Sequence, residues 1–282
     1  MSETADLLAV DVGTSRVKFG WFPAEIACLN DPVTSTLPIA SPQLPLPDET
    51  FACRHRDVPP DELAEQIAEW LTQLEVQQTQ VALSSVSPEA TKSVAEILAQ
   101  HGFSSVKVLT SGDLSLEVQV IEPNRVGIDR LLSAVAVNRV RNADRSAIVM
   151  DLGTAVTVDL ISHHGVFLGG AILPGWSLAA AALHGGTSSL PLLSSDNIQL
   201  PEHDLGKCTT EAIAAGLTWG LIGALEKLIE KYTELSEGTP QLFLTGGDAP
   251  MVLDALSEST GPVRHISHLI LAGIAIVSEA KR

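Results

Sequence analysis

The feature that most constrains the fold is a short pattern that occurs twice, 140 residues apart. An apolar run leads into Asp11-Val12-Gly13-Thr14, and another leads into Asp151-Leu152-Gly153-Thr154. Each core is followed by a β-rich segment, so each predicts a buried strand, a tight turn and a second strand. A single Asp-x-Gly turn is mostly ordinary hairpin chemistry. Its recurrence at the start of each half of a 282-residue chain predicts an internal duplication.

Both turns offer groups that suit a phosphate. Backbone N–H groups in a glycine-containing turn direct partial positive charge inward. The carboxylates of Asp11 and Asp151 can hold a metal ion beside the phosphate, because hard cations prefer oxygen ligands. Lys18 follows the first turn. Two interpretations of this residue are equally good: a positive charge near a phosphoryl group, or a solvated lysine at the edge of the sheet. We therefore expect two phosphate-binding hairpins facing each other across a cleft, aligned residue by residue so that Lys18 matches Val158.

A third candidate segment precedes the second hairpin. Gly127 begins a predicted helix whose apolar residues face inward, with Asp129 and Arg130 in its first turn. An acidic residue at a helix start is often there only because it suits the helix dipole. The functional interpretation is a general base at Asp129 and an anion-binding partner at Arg130. The position of this segment between two matching turns favours the second interpretation.

Three later segments are weaker candidates. The loop from His184 to Pro191 contains three hydroxyls, including that of Thr187, and suits either a substrate wall or an ordinary polar surface. The Gly-Gly turn in 245–248 follows a predicted strand, where a nucleotide base or ribose can lie against the backbone. Helix 209–232 bears Gly216, Gly220 and Gly223, which suits close helix contact and a dimer seam.

Composition narrows the class of protein. Alternating predicted strands and helices indicate an α/β architecture. The net charge of −17 argues against nucleic acid or an acidic membrane surface as a partner. The longest apolar run, Leu269 to Val277, is too short to span a membrane. Three scattered cysteines and an acidic N-terminus without a signal-peptide core predict a reducing, cytoplasmic location.

Taken in order, these segments resemble the type III pantothenate kinases, members of the superfamily of sugar and acetate kinases, heat-shock ATPases and actin. The similarity rests on the two Asp-x-Gly-Thr turns, Gly127-Ile128-Asp129-Arg130, Gly169-Gly170 with Pro174-Gly175, Thr187 with Leu190-Pro191, and Leu244-Thr245-Gly246-Gly247. It covers the chain from Leu7 to about Ile276.

The resemblance implies a duplicated ribonuclease-H-like (actin-like ATPase) fold with two lobes, residues 1–118 and 119–282, around a central cleft. It also implies a homodimer that uses ATP, Mg²⁺ and a monovalent cation, K⁺ or NH₄⁺, to phosphorylate pantothenate in the first step of coenzyme A synthesis. The implied ATP contacts are Asp11, Val12, Gly13, Thr14, Ser15, Arg16, Val17, Lys18 and Thr154. The implied substrate contacts are Gly127, Ile128, Asp129, Arg130 and Thr187.

Within these sets, Asp129 is the implied proton acceptor, Asp151 the monovalent-cation ligand, and Asp11 a Mg²⁺ contact through the phosphates. The chain departs from the family where Asp-x-Gly-Asn-Thr usually occurs, because Thr14 and Ser15 replace the last two residues. The stretch 119–122 lacks the usual aromatic residue, and the excursion from Pro23 to Pro60 is longer than needed. That excursion is rich in Pro, Ser and Asp, which predicts a surface segment around one short strand from Phe51 to Arg54, with His55 and Arg56 at the surface. Two alternatives remain: another phosphotransferase or phosphatase on the same fold, and a regulatory or binding relative that has lost phosphoryl transfer.

Overall fold

The strands and helices alternate along the chain as the sequence predicts. The structure is a computed structural model that describes residues 5–24, 44–56, 58–74, 79–103, 105–193 and 205–280. Its strands are β1 (Leu7–Val12), β2 (Arg16–Phe22), β3 (Glu49–Arg54), β4 (Gln80–Ser85), β5 (Val106–Val108), β6 (Ala147–Leu152), β7 (Ala155–Ile161), β8 (Phe167–Pro174), β9 (Gln241–Thr245) and β10 (Val263–His265). Its helices are α1 (Pro60–Leu71), α2 (Pro88–Gln100), α3 (Ile128–Val140), α4 (Trp176–Gly185), α5 (Thr209–Leu235), α6 (Ala249–Thr260) and α7 (Leu269–Glu279).

The strands form two sheets with the same topology. The first sheet has the order β3-β2-β1-β4-β5, and the second has the order β8-β7-β6-β9-β10. In each, the first three strands in sequence form an antiparallel meander. The two later strands add on in parallel beside the first strand of the meander. Parallel neighbours need a crossover connection, which the helices between them supply. The repeated topology confirms the predicted internal duplication.

Backbone contacts divide the chain into two compact units. Unit 1 comprises Met1–Glu117, Ile121–Asn142 and His268–Arg282, and unit 2 comprises Val118–Val120 and Ala143–Ser267. These units differ from the predicted lobes 1–118 and 119–282, because α3 and α7 pack with the first sheet. The division into lobes 1–118 and 119–282 remains a prediction.

In unit 1, helices cover both faces of the first sheet. Leu8 and Val10 of β1 pack in one apolar cluster with residues of α1 and α2. Leu7 and Ala9 pack in a second cluster with residues of α3 and α7. Successive strand residues point to opposite faces, so the two clusters lie on opposite sides of β1. A Cβ on Gly273 of α7 would collide with the Leu132 carbonyl of α3, which shows how closely these helices approach.

In unit 2, the second sheet packs against α4, α5 and α6. Helix α5 has 27 residues and a mean hydropathy of 1.4 over its most apolar window, so by length and composition it could cross a membrane. The sequence alone did not predict a membrane-spanning segment in α5, because lysines and glutamates near the end of this helix interrupt its apolar residues. We interpret α5 as a core helix, since Leu221, Leu225 and Ile229 are buried in the unit 2 cluster.

The excursion from Pro23 to Pro60 includes the short strand that the sequence predicts. A short strand was predicted near Phe51, and β3 pairs there with β2, placing Phe51 opposite Phe19. Phe51 also stacks on Trp70 of α1, with ring centroids 5.6 Å apart. This strand therefore joins the first sheet to its covering helix. Residues 25–43 of the excursion lie outside the described residues.

Candidate active site

Asp11 lies at the end of β1, where neighbouring strands surround its side chain. It is only 4% exposed. Its Oδ1 accepts a hydrogen bond of 2.9 Å from the Ser84 hydroxyl on β4. On its other side Asp11 is the register partner of Lys18 on β2. The hairpin and the parallel strand together place one carboxylate, one hydroxyl and one ammonium-bearing residue side by side.

The electrostatics of Asp11 connect the first turn with α3. Burial raises the pKa of the Asp11 carboxyl above 3.8, and the negative charge of Asp129 raises it further. The positive charge of Lys18 and the hydrogen bond from Ser84 oppose this rise. Two carboxylates within electrostatic reach of each other would be stabilised by a cation between them. Unit 1 thus brings together Asp11, Lys18 and Asp129, all of which were predicted as site residues.

The first turn is held by backbone and side-chain hydrogen bonds. Gly13 N donates to Arg16 O at 2.9 Å, which closes the turn between β1 and β2. His55 directly follows β3, and its Nε2 donates to the Gly13 carbonyl at 2.8 Å. The backbone N–H of His55 donates to the Ser15 carbonyl at 3.2 Å. The sequence analysis treated His55 as a surface residue, whereas its ring is half-buried and bound to the turn.

Asp129 lies in the first turn of α3, as predicted. Gly127 is the residue before the helix, and Asp129 Oδ1 accepts a hydrogen bond of 2.9 Å from Arg130 N. A Cβ on Gly127 would collide with Asp129 Oδ1, so glycine leaves the carboxylate room at this position. Ile128 is buried against the first sheet, and Asp129 and Arg130 are half-buried. The helix N-terminus stabilises the negative charge of Asp129.

His268 is a further residue of unit 1 that the sequence analysis did not identify. It precedes α7 and has left-handed backbone angles, φ 58° and ψ 29°. This conformation is unfavourable for a residue with a Cβ and often occurs at functional sites. Partial burial lowers the pKa of the His268 imidazole below 6.5, and the positive charge of Lys18 lowers it further. His268 therefore belongs to the electrostatic surroundings of the first turn.

The second turn, in unit 2, has a different support. Gly153 N donates to Ala155 O at 3.3 Å, and Gly175 N donates to Thr154 O at 3.0 Å. Gly175 directly follows β8, and a Cβ there would collide with the Gly153 carbonyl. Because Gly175 also precedes α4, the N-terminal end of that helix lies against the turn. Helix N-termini favour anions, which supports the predicted phosphate contact at Thr154.

The two turns differ in length, which corrects the alignment predicted from sequence. Asp11 pairs with Lys18 across the first hairpin, whereas Asp151 pairs with Thr157 across the second. Lys18 is therefore equivalent to Thr157 and not to Val158. The strands that follow have the same burial pattern from Arg16 and from Ala155, so the first turn contains one additional residue.

Thr187 lies at the far end of α4 from the second turn. Its hydroxyl donates a hydrogen bond of 2.7 Å to the Leu183 carbonyl, and the side chain is exposed. Helix α4 has 10 residues and is therefore about 15 Å long. Within unit 2, the structure does not bring Thr187 together with Asp151 or Thr154.

The predicted metal sites can be tested against the donor groups present. Among the described residues, no group of three or more His, Cys, Asp and Glu side chains is arranged to hold a metal ion. Asp11 provides a single carboxylate beside the Ser84 hydroxyl, which suits a Mg²⁺ ion held mainly by phosphates and waters. A Cβ on Gly246 would lie 2.6 Å from Asp151 Oδ1 and would collide with the Leu152 carbonyl. Carboxylate and carbonyl oxygens beside a bare glycine suit a monovalent cation.

Solved structures establish the class of fold. The ethanolamine utilization protein EutJ from Carboxydothermus hydrogenoformans has a TM-score of 0.56 at 14% identity, covering 96% of this chain and 89% of that one. MreB 5 of Spiroplasma citri, whose crystal structure contains AMPPNP, has a TM-score of 0.52 at 8% identity, covering 99% and 97%. With the duplicated sheets, these similarities confirm the predicted ribonuclease-H-like fold of the actin-like ATPases and sugar kinases.

Sequence comparison identifies the family within this class. The profile of the type III pantothenate kinases matches residues 7–231. The type III pantothenate kinase of Rhodopirellula baltica is 39% identical over 195 residues, 67% of this chain and 68% of that protein. The one from Rhodospirillum rubrum is 31% identical over 212 residues, 74% and 78%. The match to the Gluconobacter oxydans relative covers 50% of that protein, at 38% identity. The chain belongs to the type III pantothenate kinase family, as the sequence motifs predicted.

Proposed function

We propose that the chain transfers a phosphoryl group from ATP to pantothenate, giving 4'-phosphopantothenate in the first step of coenzyme A biosynthesis. The main support is the family match across residues 7–231, which includes both Asp-x-Gly-Thr turns and the Gly-x-Asp-Arg segment. The pairing of Asp11 with Lys18 and the electrostatic interaction of Asp11 with Asp129 also support it.

In this proposal Asp129 orients the primary hydroxyl of pantothenate and takes its proton as the new bond forms. Phosphoryl transfer depends on positioning and charge neutralisation more than on a strong base. A helix N-terminus favours a negatively charged group, which suits Asp129 to this role. Arg130 pairs with the pantothenate carboxylate or with the transferring phosphoryl group. Gly127 and Ile128 shape the substrate segment, and Thr187 contributes a substrate contact.

The proposed ATP contacts are residues of the first turn in unit 1 and Thr154 of the second turn in unit 2. The first turn contributes its N–H groups, the hydroxyls of Thr14 and Ser15, and the charge of Lys18, and the second turn contributes Thr154. When bound, Mg²⁺ neutralises charge that develops on the phosphates, and Asp11 contacts it through them. Asp151 and the Leu152 carbonyl would hold K⁺ or NH₄⁺.

We further propose a homodimer that works in the cytoplasm. Helix α5 supports the dimer, because added Cβ atoms on Gly216, Gly220 and Gly223 would meet no atom within 4 Å. Trp219 on the same helix is 40% exposed. A smooth helix face beside an exposed aromatic residue suits close contact with a second copy of the chain. Sedimentation of the purified chain tests the dimer directly.

A coupled assay with pantothenate and ATP, with and without K⁺ or NH₄⁺, tests the proposed activity. We expect turnover that requires both substrates and rises with the monovalent cation. The substitution Asp129→Asn should lower kcat by about 10²- to 10⁴-fold, because general-base contributions fall in this range, while calorimetry still detects ATP binding. Unchanged turnover would remove Asp129 from the mechanism.

The same assay separates the alternatives. Turnover with another small alcohol but not with pantothenate would indicate a different kinase on this fold. Binding of ATP without turnover on any acceptor would favour a regulatory relative. The replacement of the usual first-turn residues by Thr14 and Ser15 is the observation that keeps this second possibility in view.

A further inference from the structure

We propose that His55 is a positioning residue for ATP, which holds the first turn in the conformation that binds phosphate. This inference rests on the proposed nucleotide role of the turn between β1 and β2. His55 is 42 residues from Gly13 in sequence and belongs to none of the motifs that identify the family. The pairing of β3 with β2 brings it to the turn.

His55 contacts the turn through both its side chain and its backbone. Nε2 donates to the Gly13 carbonyl at 2.8 Å, and the backbone N–H donates to the Ser15 carbonyl at 3.2 Å. A carbonyl oxygen can only accept, so the Nε2 atom must bear a hydrogen. One residue thus fixes the Gly13–Thr14 and Ser15–Arg16 peptide groups, which lie on either side of the Thr14–Ser15 pair.

Because the peptide bond is planar, this contact also orients an N–H group that can donate a hydrogen bond to a phosphate. The Gly13 carbonyl and the Thr14 N–H belong to the same planar trans peptide group, so they point in opposite directions. Holding the carbonyl toward His55 therefore directs the Thr14 N–H to the opposite side of the turn. A hydrogen bond to the carbonyl also polarises the peptide group and strengthens its N–H as a donor. His55 prepares this N–H for a phosphate without touching the ligand.

The extra residue of the first turn explains why a side chain is needed there. A longer turn has more backbone freedom to lose when it binds a ligand. In the second turn, Gly175 occupies the position equivalent to His55, directly after the third strand, and supports the turn by backbone contact alone. The backbone of the first turn is less constrained than that of the second turn, and the His55 ring stabilises it.

The test uses His55→Ala, with His55→Gln as the conservative variant and His101→Ala as the matched control. A glutamine Nε2–H can reach a position similar to that of the imidazole Nε2–H. His101 also makes one ring-to-carbonyl hydrogen bond, 2.9 Å from Nδ1 to Ile97 O, at the end of α2. The control therefore removes a contact of the same kind outside the turn. Each full-length variant is assayed for the KM of ATP, kcat, melting temperature and affinity for a non-hydrolysable ATP analogue.

We expect His55→Ala to raise the KM for ATP and weaken analogue binding by about 3- to 10-fold, since one net hydrogen bond has this value. The KM for pantothenate and the kcat should change much less. His55→Gln should recover most of the loss, and His101→Ala should match the wild type. A purely structural role would instead lower the melting temperature without selective loss of ATP affinity, and that result would overturn the proposal.

Failure of the inference and failure of the proposed function give different results. If the wild type binds the ATP analogue but does not phosphorylate pantothenate, the function is wrong and the binding measurements still test His55. If the wild type is active and His55→Ala binds the analogue as tightly as His101→Ala does, the positioning role is wrong and the function stands.

Discussion

The two Asp-x-Gly-Thr turns have the same place in the same topology but different supports. The first turn is one residue longer and is held by the His55 ring, with Lys18 and Asp129 acting on its carboxylate. The second is shorter and is held by Gly175, whose backbone packs against the turn. A duplicated scaffold thus preserves the strand–turn–strand geometry while the two copies diverge in charge. In the proposed reaction we therefore expect the first turn to act on the reacting phosphate, and the second to contact ATP through Thr154 and the monovalent cation through Asp151.

Within this comparison of the two turns, the largest expected effect comes from replacing the carboxylate of each turn separately. Asp11→Asn should lower kcat/KM by about 10²- to 10³-fold, as loss of an electrostatic contact to the reacting group does. Asp151→Asn should lower it by about 10-fold and weaken the response to K⁺, because it removes the carboxylate that would hold the cation while the Leu152 carbonyl remains. Steady-state kinetics over a range of K⁺ concentrations measure both effects. Equal losses in the two variants would contradict the division of roles.

The Asp11 variant also has an expected signature in stability. The pKa of Asp11 is raised in the folded state above 3.8, so the fold favours the neutral carboxyl. The contribution of this group to stability is therefore complete below about pH 3.8. It is lost as the pH rises through the folded-state pKa. Asparagine stays neutral, so Asp11→Asn should be more stable than the wild type at neutral pH. This advantage should disappear at about pH 3.5 if the protein remains folded there, which melting temperatures at several pH values would show.

The second largest effect concerns how each turn is held. In Gly175→Ala the new Cβ would lie 2.7 Å from the Thr154 carbonyl and collide with that of Gly153. Backbone atoms cannot move aside easily, so we expect a loss of about 2–3 kcal/mol of stability. In Gly13→Ala the Cβ would lie 3.2 Å from Arg16 O, so a small shift should accommodate it.

Gly185→Ala is the matched control for this prediction. It lies at the end of the same helix, α4, and an added Cβ would meet no atom within 4 Å. We expect it to be neutral or to stabilise by about 0.5–1 kcal/mol, because alanine is the better helix former. Denaturant unfolding measures all three variants. A cost for Gly13→Ala as large as that for Gly175→Ala would show that the turns are held in the same way.

The comparison also separates what the sequence predicts from what it does not. The two turns, their strands and the start of α3 at Gly127 were predicted because each is specified by adjacent residues. His55 was missed because its contact depends on the pairing of β3 with β2, which no local pattern specifies. The alignment of Lys18 with Val158 was wrong by one position because identical Thr residues conceal the longer first turn. The packing of α7 on α3 is likewise a property of the tertiary structure.

The smallest expected effect concerns His268, which adds backbone strain to the charged surroundings of the first turn. Its φ of 58° is costly for a residue with a Cβ and costs glycine little. His268→Gly should therefore stabilise the chain by up to about 1 kcal/mol unless the imidazole makes a contact of greater value. His268→Gln retains the strain and removes the titratable ring.

The pH dependence of stability distinguishes these two properties of His268. Its pKa is lowered in the folded state by partial burial and by Lys18, so the unfolded chain takes up a proton first as the pH falls. Its contribution to stability is therefore present above pH 6.5 and decreases as the pH falls from there through the folded-state pKa. Both His268→Gly and His268→Gln should flatten the fall in melting temperature over this window, but only the glycine variant should gain stability at higher pH. Curves parallel to that of the wild type would show that burial and Lys18 do not lower the pKa of His268 in the folded state. The electrostatic contrast between the two turns would then rest on Asp11, Lys18 and Asp129.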